Sequence, residues 1–266
     1  MADQLHYVYA VVPPATAASV APAGVDGQPV ELLVDNDLAV LFSRVDPSYA
    51  HDLDERIAEV AWLAPRATAH DEVLTWASDV GAVIPLPLFS LFRSEEAIRS
   101  MLGARRDELR VLLAHVARGR EYGVRVFRLD DELTHALPAF SASIAALEAE
   151  VAAATSPGQK YLLGRKLDGA RKEELRRVAA EVAATAYNDL SSRSLASTQD
   201  ALPNAPQNQS GAAVLNAAFL VAPDRIEDFR AVVTAFVREH DRRGFRIEFT
   251  GPWPPYHFAR GTADAR

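Results

Sequence analysis

Ser156-Pro-Gly-Gln-Lys-Tyr-Leu-Leu-Gly-Arg-Lys-Leu-Asp-Gly-Ala170, continued by Arg171-Lys-Glu-Glu-Leu-Arg-Arg-Val-Ala-Ala180 and onward to Leu190, divides this chain in two. Ser followed by Pro is a helix-start pair: the hydroxyl caps the first turn, and proline fits the first helical position, whose N–H has no intrahelical partner. From there the pattern runs unbroken to about Leu190, roughly 50 Å of helix at about 1.5 Å per residue. Leu163, Leu167, Ala170, Leu175, Val178 and Val182 keep an approximate heptad seam, while Arg171, Glu174, Arg176 and Arg177 fall on exposed faces. Just upstream, Ala139 to Ala154 carries Phe140, Ile144, Leu147 and Val151 at helical spacing. A short helix, a break and a longer helix predict an antiparallel helical hairpin or coiled coil over 131–192, bridging two other domains.

On the amino-terminal side, Leu5-His-Tyr-Val-Tyr-Ala-Val-Val12 reads as a strand, and Pro29–Val34 and Leu38–Val45 flank an Asp35-Asn-Asp37 hairpin turn. Two helices are expected over 52–64 and 65–80. Ala82–Phe92 is apolar but contains Pro85 and Pro87, which forbid a central strand with a full ladder, so an edge strand or extended segment is expected. Ser94 opens a further helix that stops before Gly119, and Glu121–Leu129 alternates as a strand. The order predicts an α+β domain over 1–130 with helices on one sheet face.

On the carboxyl-terminal side, a polar Pro/Asn-rich loop over 200–211 separates a strand near 193–198 from Ala213–Val221. A helix from Pro223 and a strand over Phe245–Thr250 complete a second α+β unit, predicted over 193–266 with a Pro/aromatic tail. Gly-Phe-Arg-Ile-Glu-Phe249 and Gly-Val-Arg-Val-Phe-Arg128 resemble each other, which hints at an old duplication. The fold class is therefore α+β: two small domains, ferredoxin-like or related, joined by a helical hairpin.

Composition excludes several chemistries. With no cysteine among 266 residues there is no disulfide, thiolate metal site or Cys nucleophile. A net charge of −8 argues against a broad phosphate-neutralising surface, so nucleic acid is not an expected partner. The three lysines, Lys160, Lys166 and Lys172, all fall on the long helix. The first residues carry no basic n-region, and no apolar run approaches the roughly 18–20 residues that span a bilayer. A soluble cytoplasmic protein without a membrane partner is expected.

Neither the phosphate- and dinucleotide-binding glycine motifs, the GxSxG elbow nor HExxH occurs, so no catalytic residue, metal or cofactor is assigned. His70-Asp71-Glu72 is the densest polar cluster; an enzyme binding a ligand or metal through His70, Asp71 or His257 is the alternative to a binding protein. Arg171 and Arg176 could contact an acidic partner, or lie on a solvated helix face. Thr250-Gly-Pro-Trp-Pro-Pro-Tyr-His-Phe258 stands apart, with three prolines and three aromatics in nine residues. Its prolines pre-set extended or polyproline-like backbone, presenting Trp253, Tyr256 and Phe258, with Pro254 and Pro255, either to a partner or as a lid over the core.

Gly251-Pro-Trp-Pro-Pro-Tyr-His-Phe258 resembles the closing motif of the gas vesicle protein F/L family. Tyr7–Val12, Gly24-Val-Asp-Gly27, His70-Asp-Glu-Val-Leu74, Glu121-Tyr-Gly-Val-Arg-Val126 and Asn216–Val221 are similar to further family segments, in the same order. One departure stands out: where the family usually reads P-L-R-F-G-T, this chain has Pro85-Leu-Pro-Leu-Phe-Ser90, without the Arg and the Gly. The resemblance implies a non-enzymatic accessory of gas vesicle formation, a minor vesicle component that contacts the hydrophobic shell protein (GvpA-type) and other accessory gas vesicle proteins. It also implies an N-terminal α+β domain and a C-terminal α/β part with a coiled-coil element. A chain that is 24% charged cannot tile a wall whose inner face must repel water, so a factor that binds shell subunits is expected rather than a wall subunit.

Overall fold

The computed structural model describes residues 4–202 and 211–259; residues 203–210 of the expected polar loop lie outside them. The chain is α+β and forms two compact units, one of residues 4–121 with 252–259, the other of residues 122–202 with 211–251.

The first unit begins with β1 (Leu5–Val12), followed after a loop by the hairpin β2 (Glu31–Asp35) and β3 (Leu38–Val45). Asn36 turns that hairpin in the left-handed region, φ 57°, which Asn tolerates better than most side chains. Next come α1 (Leu53–Ile57), α2 (Val60–Val80), β4 (Ile84–Phe92), α3 (Glu95–Ala104) and α4 (Arg106–Val116). The sheet order is β2-β3-β1-β4, with antiparallel pairing throughout. β4 is an edge strand, as its two prolines require.

Helices on one face of this sheet were the expectation, and the structure corrects it. α2 covers one face through Val73, Leu74 and Ala77, while α3 and α4 cover the other through Ile98, Leu102, Leu109 and Leu113. The signal lies in β1, a nearly continuous apolar run of the kind that is buried on both sides. Its side chains switch faces at a β-bulge between Val8 and Ala10: Tyr7 and Tyr9 face α2, and so do Ala10 and Val12 beyond it. The break between α1 and α2 falls at Ala58-Glu59 rather than at Pro65, which α2 accommodates in its second turn. Gly24 cannot carry a side chain, because a Cβ there would collide with the Tyr9 hydroxyl that accepts the Val25 N–H at 2.9 Å.

The second unit contains β5 (Arg120–Arg128), whose first two residues group with the first unit, then α5 (Asp130–Ala136), α6 (Ala142–Ala153) and α7 (Pro157–Ser191). β6 (Ala196–Gln199), β7 (Ala212–Val221), α8 (Ile226–His240) and β8 (Phe245–Trp253) complete it. Ser156 caps α7 by accepting the Gln159 N–H at 3.2 Å, with Pro157 at the first position. The sheet order is β6-β7-β5-β8. In both sheets, then, the first strand in sequence is central, the third and fourth flank it, and the second lies outside the third.

Residues 131–192 were expected to form a separate connector, yet α7 contributes Leu167, Val178, Val182, Ala186 and Leu190 to the same core as Val124, Phe219 and Phe229. Residues 252–259, assigned by sequence to the carboxyl-terminal domain, group with the first unit. Among the described residues no single helix is long and apolar enough to cross a membrane.

Candidate functional site

The site is built where residues 253–259 meet β4, α2 and β1 of the first unit. Pro254 and Pro255 are buried, Tyr256 and Phe258 half-buried, and Trp253 is 41% exposed. The expected extended rack holds only through the prolines. Beyond them the chain turns, with Tyr256 N–H donating to the Pro254 carbonyl at 2.7 Å and Ala259 N–H to the Pro255 carbonyl at 2.9 Å. Tyr256 packs on the α2 side of the sheet, while Phe258 and Ala259 join the core on the α3–α4 side. Of the three aromatics, Tyr256 and Phe258 thus fold back as a lid, and Trp253 is the most exposed.

Two polar anchors fix the turn. The Tyr256 hydroxyl donates to Asp71 Oδ1 at 2.7 Å. Glu121, with a side chain only 3% exposed, accepts both the backbone N–H of His257 at 3.0 Å and its ring Nδ1 at 2.5 Å. A buried carboxylate is costly unless its oxygens are satisfied, and one residue of the tail satisfies both. Burial, with the Asp71 carboxylate beside it, pushes the Tyr256 phenol well above its usual range, so it stays a neutral donor.

Behind the lid lies a second tier of hydrogen bonds. The Phe89 N–H donates to the Tyr7 hydroxyl at 3.3 Å, and that hydroxyl is 2.9 Å from His70 Nδ1. The single phenolic proton is free to go to the imidazole, so His70 accepts at Nδ1 and carries its proton on Nε2. Burial lowers its pKa to about 4, against the opposing pull of a hydrogen bond to the Leu86 backbone and of Asp71. His70 and Asp71, the pair on which an enzyme or metal site was weighed, therefore each hold a neighbouring tyrosine. Among the described residues no group of three or more His, Asp or Glu side chains is placed to share a metal ion.

β4 shapes the wall beside them. Val8 pairs with Ser90 and Ala10 with Pro85, so Leu86-Pro87-Leu88-Phe89 bulge out opposite Tyr9 alone. Phe89 adopts φ 64°, a left-handed conformation unusual for an aromatic residue, at the position where the resembling motif carries Gly. The Phe89 ring stacks on Trp62, with centroids 5.3 Å apart, and Arg66 lies 4.2 Å over the same indole. Between the bulge, α2, α3 and the tail opens a cavity of about 810 Å³, walled by Ile84, Pro85, Pro87, Met101, Leu109 and Ala259 among others. Pro87 stands there in place of the motif's Arg, and the wall is mainly apolar.

The two arginines singled out by sequence belong to the other unit. Arg171 donates to Glu148 at 2.7 Å and ties α7 to α6. Arg176 is exposed and pairs with Glu173 at 3.3 Å. Sequence reasoning missed the Glu121–His257 anchor and the bulge. Both residues of the anchor sat inside motifs, but nothing in either motif says that they meet across 136 positions.

The sequence model of the gas vesicle synthesis protein GvpL/GvpF family matches residues 5–260. Gas vesicle protein L of Streptomyces sp. (strain CB03234) is 32% identical, over 97% of this chain and 93% of that protein. Gas vesicle protein F of the same strain is 26% identical, over 95% and 98%. The crystal structure of GvpF from Anabaena sp. PCC7120 superposes with a TM-score of 0.72 at 18% identity, covering 97% of this chain and 98% of that one. GvpF from Microcystis aeruginosa gives 0.65 at 21%, over 97% and 99%. At these identities the solved structures speak for the fold.

Proposed function

The chain belongs to the GvpL/GvpF family of gas vesicle synthesis proteins, and on that premise we propose that it works in vesicle assembly as an accessory that holds apolar segments of the shell protein before they enter the wall. Its place is in the cytoplasm and at the growing vesicle, as a minor component among other accessory gas vesicle proteins. The observation that carries this reading is the apolar cavity of about 810 Å³ beside the tail. Its polar neighbours His70, Asp71 and Tyr256 are already hydrogen-bonded and Arg105 is paired with Glu108, so it offers mainly shape and apolar surface. Trp253, exposed at the rim of the lid, adds an aromatic contact; Tyr256, Phe258, Pro254 and Pro255 act indirectly, by keeping the lid in place.

The strand order shared by the two sheets supports a finer reading of the fold as two ferredoxin-like units, the first with a loop where the second has helices. The α6–α7 pair is read as the coiled-coil element of the family. Arg171 serves it internally, whereas Arg176 remains available to an acidic partner.

Retention of purified shell protein on the immobilised full-length chain tests the proposal. Met101→Lys places a charge at the half-buried cavity wall, and is expected to reduce retention at least about tenfold with the melting temperature little changed. Trp253→Ala is expected to weaken retention about two- to fivefold. Undiminished retention by Met101→Lys would sink the cavity as the binding site. A vesicle wall composed mainly of this chain would sink the accessory role itself.

A further inference from the structure

The outer face of α7 is exposed among the described residues. Positions 158, 162, 165, 169, 172 and 176 follow one another at spacings of four and three residues, so they share one stripe, and all six are exposed. The stripe carries Gly158, Leu162, Arg165, Gly169, Lys172 and Arg176. Leu162 is 69% exposed and its neighbour Tyr161 67%. They lie in the first turns of α7, where residues 157–162 are all exposed, ahead of the turns that bury Leu167 and the residues after it. Residues 157–172 hold five basic side chains and one acidic, in a chain whose net charge is −8. Lys160, Arg165, Lys166 and Lys172 make no ion pair among the described residues, unlike Arg171 and Arg176.

The complementary surface is on the first unit. Ile57-Ala58-Glu59-Val60-Ala61 is a continuous exposed run, with Val60 75% and Ile57 37% exposed. Asp54, Glu55 and Glu59 lie in the same stretch and make no ion pair among the described residues, while its one cation, Arg56, lies 5.7 Å over the Trp62 ring. One surface is therefore apolar with unpaired cations, and the other apolar with unpaired anions.

We propose that the α7 stripe of one copy docks on the Asp54–Val60 surface of a second copy. Pairing α7 with α7 would oppose Arg165 and Lys172 to like charges, so a symmetric contact is disfavoured and the head-to-tail one favoured. The glycines fit this arrangement. A methyl group placed on Gly158, Gly164 or Gly169 meets nothing within 4 Å, so no packing among the described residues calls for glycine there. Bare backbone lets a partner approach closely. A heterologous contact repeats, so copies add to one another until a ring closes or a filament grows. This inference stands apart from shell-protein binding, and neither depends on the other.

Sedimentation of the full chain over about 5–200 µM, in about 50 mM and about 500 mM salt, tests it. The expected result is association at low salt with a Kd on the order of 10–100 µM, lost at high salt. Arg165→Glu with Lys172→Glu is expected to abolish association, and so is Glu55→Lys with Glu59→Lys. Mixing the two variants should restore it with the copies alternating, since the unchanged stripe of the second meets the unchanged acidic surface of the first, and the two reversed surfaces match each other. Tyr161→Ser with Leu162→Ser, which leaves the charges unchanged, should weaken wild-type association about tenfold, and melting curves verify that each variant is folded. A wild type that stays monomeric throughout at low salt overturns the proposal. So do charge variants that associate as the wild type does, or a mixture that stays monomeric.

Discussion

Glu121 and His70 illustrate two ways of placing an ionisable group in this protein. Glu121 is buried and takes two N–H donors from a single residue, His257, so replacing either partner strands the other. His70 is buried and neutral, accepting from Tyr7, and its pKa falls to about 4 because burial disfavours the imidazolium. Since the folded pKa lies below the ordinary value of 6.5, the unfolded chain takes up the proton first as the pH falls. The His70 contribution is thus complete above about pH 6.5 and is lost progressively down to about pH 4. By pH 5 the loss should amount to about 2 kcal/mol. Urea unfolding at pH 7, 6 and 5 checks this: the wild type should lose stability over the range, and His70→Phe, less stable at pH 7, should show a flatter dependence. An equal slope in both would assign the effect to other groups.

At the scale of elements, α7 and β4 differ in how much of them the sequence disclosed. The Ser156-Pro157 start, the length and most of the buried seam of α7 were legible, because capping and helical periodicity are local. The prolines of β4 likewise announced an edge strand. What stayed hidden was non-local. That α7 packs into the core of the second sheet depends on Phe219 and Phe229, which no periodicity within α7 names. The bulge over Leu86–Phe89 depends on how β1 pairs, and the left-handed Phe89 is held by Trp62 and Tyr7 from elsewhere in the unit. The candidate site followed the same division: the tail residues were found by their composition, while their partners Asp71 and Glu121 were not linked to them. One prediction belongs here. Gly164→Ala with Gly169→Ala should stabilise the chain by about 1–2 kcal/mol at low protein concentration, since glycine inside a helix costs about 0.8–1 kcal/mol relative to alanine. Among the described residues nothing lies within 4 Å of the added methyl groups. Chemical denaturation measures the change, and destabilisation would reveal a close contact that the glycines serve.

At the scale of the whole molecule, the path of the chain matters more than the count of its domains. It leaves the first unit after Glu121, builds the second, and returns with Pro252 to finish the first. Truncation after Gly251 should therefore damage the amino-terminal unit. Amide exchange is expected to accelerate in β4 and α2, which lose Tyr256 and the tail, while α8 and β7 keep their protection. Accelerated exchange confined to the carboxyl-terminal unit would contradict the arrangement.

That return path also imposes an order in time. A ribosome making about 5–20 residues per second finishes residue 121 roughly 7–27 s before it reaches Tyr256, His257 and Phe258. Until then Glu121 waits without its tail partner, and the cavity beside β4 lacks one wall. The amino-terminal unit, first to be synthesised, is thus last to be completed. A nascent or prematurely stopped chain carries an unfinished pocket, so only translation through residue 259 yields the assembled site.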